Sequence, residues 1–196
     1  AAVALEQGRM ALRGVLAQEI HHRVKNNLQT VASLLRLQAR AEGVDPQKAL
    51  GDSVNRILAI AAVHEVLTEH REDDVDLDEL IDRLRAMLVQ GRVIGKEVDA
   101  DLDAVALAGQ RATSLALVFC ELFGNALEHG GPHIAIALHR RGDDVVLSIA
   151  DDGSGMRDAA DGTGLSIVRA LVHEELGGSL VLTDDGGLHV EVTFPA

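Results

Sequence analysis

Four short stretches of this chain carry side chains whose type and spacing could do chemistry. The first is Glu19-Ile20-His21-His22-Arg23-Val24-Lys25-Asn26. Around it Leu12, Leu16, Ile20, Val24, Leu28, Val31 and Leu35 recur at spacings of three and four, which predicts one apolar seam on a long helix. His22 lies two residues from both Ile20 and Val24, roughly opposite that seam. An exposed imidazole there, near its titration midpoint at neutral pH, could serve as a nucleophile. Asn26 lies one turn on, in reach of anything attached to His22, and Glu19 lies one turn back, where it could orient the ring. A polar helix face that carries two histidines has the same spacing.

Glu121 and Asn125 stand one turn apart in Glu121-Leu122-Phe123-Gly124-Asn125-Ala126-Leu127-Glu128-His129, at the end of a predicted helix. Their oxygens share a face and could hold a hard cation such as Mg²⁺; two polar residues on the solvent side of an amphipathic helix look the same. Asp151-Asp152-Gly153-Ser154-Gly155 follows a predicted strand and ends it in a tight turn. A carboxylate at a strand end can accept a hydrogen bond from an exocyclic amine, and the glycines admit a ligand close to the backbone. An acidic hairpin turn has that composition too. Gly162-Thr163-Gly164-Leu165-Ser166-Ile167-Val168 opens a helix whose free N–H groups and dipole suit a polyphosphate. It is neither a Walker A loop, since no Gly-Lys-Ser/Thr follows, nor a complete GxGxxG after a strand. A plain glycine-rich helix start stays open.

These groups need elements to hold them. After a break at Ala41-Glu42-Gly43-Val44-Asp45-Pro46, a second seam of Leu50, Val54, Ile57, Ala61 and His64 completes a helical hairpin. A hairpin cannot enclose its own seam, which predicts pairing with a second copy into a four-helix bundle. His64, on the seam, reads as a packed histidine. The charged run from His70 to Asp76 reads as a solvated linker and divides the chain into residues 1–72 and 73–196. Beyond it, Asp76-Leu77-Asp78-Glu79-Leu80 opens a helix with acidic residues in its first turn. Weak strands are expected around 97–107, a strong helix over 110–129, and a hairpin of 133–139 with 145–150 about Arg140-Arg141-Gly142-Asp143. A helix over about 165–176 and a last hairpin of 179–183 with 188–194 complete an α+β sandwich.

Composition narrows the partners. The chain has 196 residues, 47% of them apolar and 25% charged, the balance of a folded protein with a real core. With 18 basic against 31 acidic residues its net charge is −13, which disfavours a nucleic-acid partner, since phosphate binding needs a basic face. Trp and Tyr are absent and Phe numbers three, so base-stacking platforms are lacking as well. The single Cys120 excludes a disulfide framework and reads as a small buried hydrophobe. His70, His133, His139, His173 and His189 show no metal-ligand spacing. No apolar run approaches the length of a membrane span, and a cytoplasmic location is expected. The chain opens on Ala1, so an upstream sensor domain outside it is expected.

Order and spacing lift these stretches above their separate weight. A Glu/Asn pair on a helix, a DxGxG strand end and a GxGL helix start follow one another from Glu121 to Leu165. Together they resemble the N, G1 and G2 boxes of the GHKL, or Bergerat-type, ATP-binding fold. With His22-Arg23-Val24-Lys25-Asn26 upstream, the chain resembles a sensor histidine kinase core of the HisKA_2 type and is similar to actinobacterial cytoplasmic two-component kinases. That resemblance implies a helical-hairpin dimerisation and phosphotransfer domain over 1–72, a four-helix bundle in the homodimer, and a catalytic ATP-binding domain over 73–196. The reaction it implies moves the γ-phosphoryl group of ATP, with Mg²⁺, to a histidine and then to an aspartate on a response regulator receiver domain.

Matched position by position, His22 is the phosphoacceptor, Asn125 the Mg²⁺ ligand and Glu121 the residue that positions metal or water. Asp151 matches the adenine-reading aspartate, Gly153 and Gly155 shape its pocket, and Gly162, Thr163, Gly164 and Leu165 form the stretch that flanks the phosphates. Arg23 takes the slot after the acceptor where many such kinases carry an acid, leaving Glu19 as the substitute. Glu128 stands where a lysine often assists the phosphates, leaving His129 or Arg111 to supply the charge. Only Met156 to Asp161 separate the last two motifs, so any lid is short and nucleotide exchange is expected to be fast. The hinge between domains is expected near residue 72. The competing class is a nucleotide-binding dimer that has lost transfer and acts as a scaffold or partner switch. An ATP-driven clamp fits less well, since such proteins carry large extra domains.

Overall fold

Pro46 opens the first helix described, α1 (Pro46–His70), at the position where a missing N–H costs nothing. A computed structural model describes residues 46–70, 74–90, 95–155 and 163–196, all within one compact unit of residues 41–196. Glu19, His22, Asn26, the first seam, the hinge at residue 72, the lid and Gly162 lie outside the described residues.

Helix α1 buries Arg56, Ala59, Val63 and Val66, a stripe at helical spacing. The expected seam is on another side: Leu50 is 67% exposed, Val54 46% and Ile57 52%, and Ala61 and His64 are exposed too. Two apolar stripes run along this helix, and contact with the helices beneath it selects the one that carries Arg56. The expectation that His64 is packed is therefore corrected.

After α1 comes β1 (Asp74–Asp76), which pairs antiparallel with β3 (Ala106–Ala108) and buries Val75 completely. The charged run at 72–76 thus ends as a strand, because Val75 has an apolar cleft to fill while its acidic neighbours face water. Helix α2 (Leu77–Val89) carries Asp78 and Glu79 in its first turn, as its dipole favours, and buries Leu77, Leu80, Ile81, Leu84 and Leu88. Helix α3 (Gly109–His129) is buried almost all round from Ala112 to Cys120, since α1 and α2, the short β1–β3 pair, strand β5 and helix α4 all pack on it. Phe119 and Phe123 stack inside it with ring centroids 5.3 Å apart.

The main sheet has the order β2 (Glu97–Leu102), β4 (His133–Arg141), β5 (Asp144–Asp151), β7 (Leu188–Pro195), β6 (Ser179–Asp184). Neighbours are antiparallel except β2 with β4, whose parallel pairing α3 makes possible as the crossover. Period-two alternation puts Ile134, Ile136 and Leu138, Leu147 and Ile149, and Val190, Val192 and Phe194 on one buried face. Helix α4 (Thr163–Ala170) continues through a π-helical turn (Leu171–Glu175), with Leu176 N–H bonded to Leu171 O at 3.0 Å. The α+β sandwich expected from the sequence is the fold observed.

Candidate functional site

Helix α3 carries the first part of the site. Glu121 follows the buried Cys120, whose thiol burial pushes strongly towards the neutral form. Its side chain is only 9% exposed, so the pair with Asn125 is no solvent-side decoration. Arg56, 2% exposed, reaches over from α1 and donates from Nε to Glu121 Oε1 at 2.5 Å. The other oxygen faces the start of α4, where a side-chain carbon on Gly164 would stand 2.7 Å from Oε2. Glu121 fills that space, so any side chain there would have to displace its carboxylate or the start of α4. Helix α3 and the start of α4 thereby bring the second and fourth sequence stretches together.

At the other end of α3, Gly130 packs against Asp151 at the end of β5, where an added carbon would lie 2.8 Å from the carboxyl carbon. Asp151 Oδ1 accepts the Gly153 N–H at 2.8 Å, which closes the turn and leaves the second oxygen for another donor. Asp152 Oδ1 accepts the His133 N–H at 2.9 Å and ties the turn to β4. Gly155 adopts φ +72° and abuts the Asp184 carboxylate, so neither backbone nor space admits a side chain. Lys96 donates to Ala126 O at 3.0 Å and Gly130 O at 2.7 Å, placing a cation on the last carbonyls of α3. From Glu121 to Gly130 the helix spans about 13.5 Å at 1.5 Å per residue.

Leu165 is buried at the base of α4, which anchors this helix start. Thr163 begins it. Of the two expected sources of positive charge, Arg111 is corrected. Arg111 lies in the first turn of α3, about 21 Å along the axis from Asn125, and bonds to Leu176 O and Pro195 O beside the Phe194 ring. His129 is exposed, with Nε2 3.5 Å from Glu128. Lys48 on α1 donates to Glu128 Oε2 at 2.6 Å, and this bond raises the ammonium's pKa.

Lys48, Asp52 and Arg56 form a stripe the sequence reading passed over, although their spacing of four is a legible signal. Asp52 is half-buried between them; desolvation, then the Glu121 charge, pushes its carboxyl up. Among the described residues no group of three or more His, Cys, Asp or Glu could hold a metal alone. Glu121 and Asn125 suit Mg²⁺ nevertheless, because that ion takes one or two protein oxygens and completes its shell with water and substrate phosphates.

A five-stranded sheet backed by helices, with a Glu/Asn helix meeting a glycine helix start at one end and an aspartate turn at the other, defines the Bergerat type of ATP-binding domain. Residues 110–196 match the model described as histidine kinase-, DNA gyrase B-, and HSP90-like ATPase, and residues 19–91 match the HisKA_2 model, described as histidine kinase. The chain belongs to the histidine kinase family. It is 41% identical over 183 residues to sensor histidine kinase PdtaS of Mycobacterium tuberculosis, covering 85% of this chain and 36% of that one. It is 29% identical over 199 residues to a blue-light-activated histidine kinase of Rhizobium johnstonii, covering 92% and 53%. The chain thus spans about a third to half the length of these relatives. The histidine kinase domain of the Erythrobacter litoralis EL346 blue-light activated kinase has the same fold, with a TM-score of 0.73, 22% identity, and 90% of this chain and 91% of that one covered. No helix among the described residues is long and apolar enough to cross a membrane.

Proposed function

We propose that this chain is the core of a cytoplasmic sensor histidine kinase: it transfers the γ-phosphoryl group of ATP to His22 and then to an aspartate on a response regulator. The observation that carries the reading is the contact of Glu121 with the start of α4 on a helix whose other end packs against Asp151. One helix thereby links a group suited to metal and water with a carboxylate suited to an exocyclic amine.

Asp151, one oxygen already fixed by Gly153, would accept the adenine amine with the other. The free N–H groups of α4 would face the phosphates. Asn125 and Glu121 would hold Mg²⁺, which when bound neutralises phosphate charge. In a chain of net charge −13 that neutralisation counts for more, since the protein's own field repels a free polyphosphate. In the transfer, the His22 imidazole lone pair forms a bond to phosphorus while the bond to the β–γ bridging oxygen breaks, and ADP leaves with that electron pair. Glu19 would orient the ring and Asn26 would contact the attached group.

Residues 1–72 would form the dimerisation and phosphotransfer domain and 73–196 the catalytic domain. The exposed apolar stripe of Leu50, Val54 and Ile57 supports a homodimer, because one copy leaves it in water. Incubation with Mg-ATP should give acid-labile, base-stable phosphate that disappears in His22→Ala and in Asn125→Ala. Normal labelling of His22→Ala would remove the acceptor assignment, and tight ATP binding without any labelling would select a scaffold instead.

A further inference from the structure

We propose that Arg56 is a positioning residue of the nucleotide site: α1 lends it to Glu121, fixing one carboxylate oxygen so that the other stays at the start of α4. This rests on the ATP-dependent reading above and adds a residue to it from outside the three ATP-binding boxes.

The geometry is two-sided. Arg56 Nε holds Glu121 Oε1 at 2.5 Å, and Oε2 occupies the space a side chain on Gly164 would take. Both partners are withdrawn from water, at 2% and 9% exposure, so the bond acts at low dielectric, and the guanidinium offers a fixed plane of donors rather than a mobile point charge. A carboxylate held this way gives up a buried, charge-assisted bond if it rotates out of the site.

The second ion pair fixes the register. Lys48 to Arg56 is eight residues, about 12 Å of helix, and Glu121 to Glu128 is seven, about 10.5 Å. The Lys48–Glu128 and Arg56–Glu121 pairs therefore match along two helices that run in opposite directions. Sliding α1 by one turn would part both pairs together. Helix α1 lies inside the segment matching the histidine kinase model, so its placement is felt directly by the carboxylate of the ATPase segment.

A group that positions Glu121 should affect the chemical step more than nucleotide binding, whereas a phosphate clamp would do the reverse. The test uses the whole chain, with nucleotide affinity from a fluorescent ATP analogue and phosphohistidine formation at saturating Mg-ATP. Arg56→Ala should slow phosphorylation by about 10–100-fold, the usual effect of removing an outer partner of a ligating side chain. Its nucleotide affinity should change by less than about threefold, which also reports that the site is folded. Arg56→Lys should recover part of the rate, and combining Arg56→Ala with Glu121→Gln should slow the reaction no further than Glu121→Gln alone. A rate at or above wild type in Arg56→Ala, or effects of the two substitutions that multiply, overturns the assignment. So does a loss of affinity with the rate at saturation preserved. Failure of the wild-type chain to bind nucleotide or to label would instead sink the kinase reading itself.

Discussion

Adding a single methyl group at Gly164 tests whether Glu121 is held where the structure places it. In Gly164→Ala the new carbon would stand 2.7 Å from Glu121 Oε2, against an ordinary carbon–oxygen contact about 0.7 Å longer. The usual relief, rotation of the longer side chain, is opposed by the Arg56 bond at 2.5 Å on the other oxygen and by burial of both groups. The start of α4 must then shift, or the ion pair must stretch. Overpacking of this kind costs about 1–3 kcal/mol. Alanine returns up to about 1 kcal/mol through helix propensity, so stability should fall by about 0–3 kcal/mol. If the whole strain is relieved by moving the phosphate-binding turn, nucleotide affinity falls by about 5- to 150-fold. Thermal unfolding without nucleotide and titration with a fluorescent ATP analogue separate the two effects. Adding Glu121→Asp, which withdraws the carboxylate by one methylene, should restore part of the stability. A Gly164→Ala chain that is more stable than wild type and binds nucleotide normally would show that Glu121 is not pinned between Arg56 and α4.

Three further outcomes follow from the same structure. Burial and the Glu121 charge raise the Asp52 pKa in the folded chain, so the folded state binds more protons than the unfolded one across the interval between the two values. The associated stability is present below the ordinary aspartate pKa and is lost as pH rises through the folded value; Asp52→Asn should thus melt higher than wild type at pH 7, and the gap should close in acid. Gly124→Ala, where an added carbon meets nothing within 4 Å on helix α3, should stabilise the chain by about 0.5–1 kcal/mol in denaturant titrations. Ile57→Asp, at a position 52% exposed, should leave the melting temperature within a few degrees while light scattering shows monomer in place of dimer.

The legible parts share one property: their signal is local. Helix α3 announces itself over Gln110 to His129 by apolar content, and the turns at Gly142 and at Asp184 to Gly187 mark two hairpins whose strands alternate on either side. The three ATP-binding stretches were readable because backbone chemistry ties each to a helix face, a strand end or a helix start. Strand β1 was not, since three residues gain order only by pairing with Ala106 to Ala108, far along the chain. The parallel pairing of β2 with β4 likewise depends on a crossover rather than on either sequence.

Residue type and spacing alone picked out the carboxylates, the amide and the glycines proposed to meet a nucleotide, because those demands act within one or two turns of chain. Which stripe of α1 is buried, that Arg56 meets Glu121 from 65 residues away, and that Arg111 serves the far end of α3 were decided by packing. A helix with two apolar faces has no local reason to prefer one. The partner surface supplies it, through the charges and cavities that only the assembled layers create.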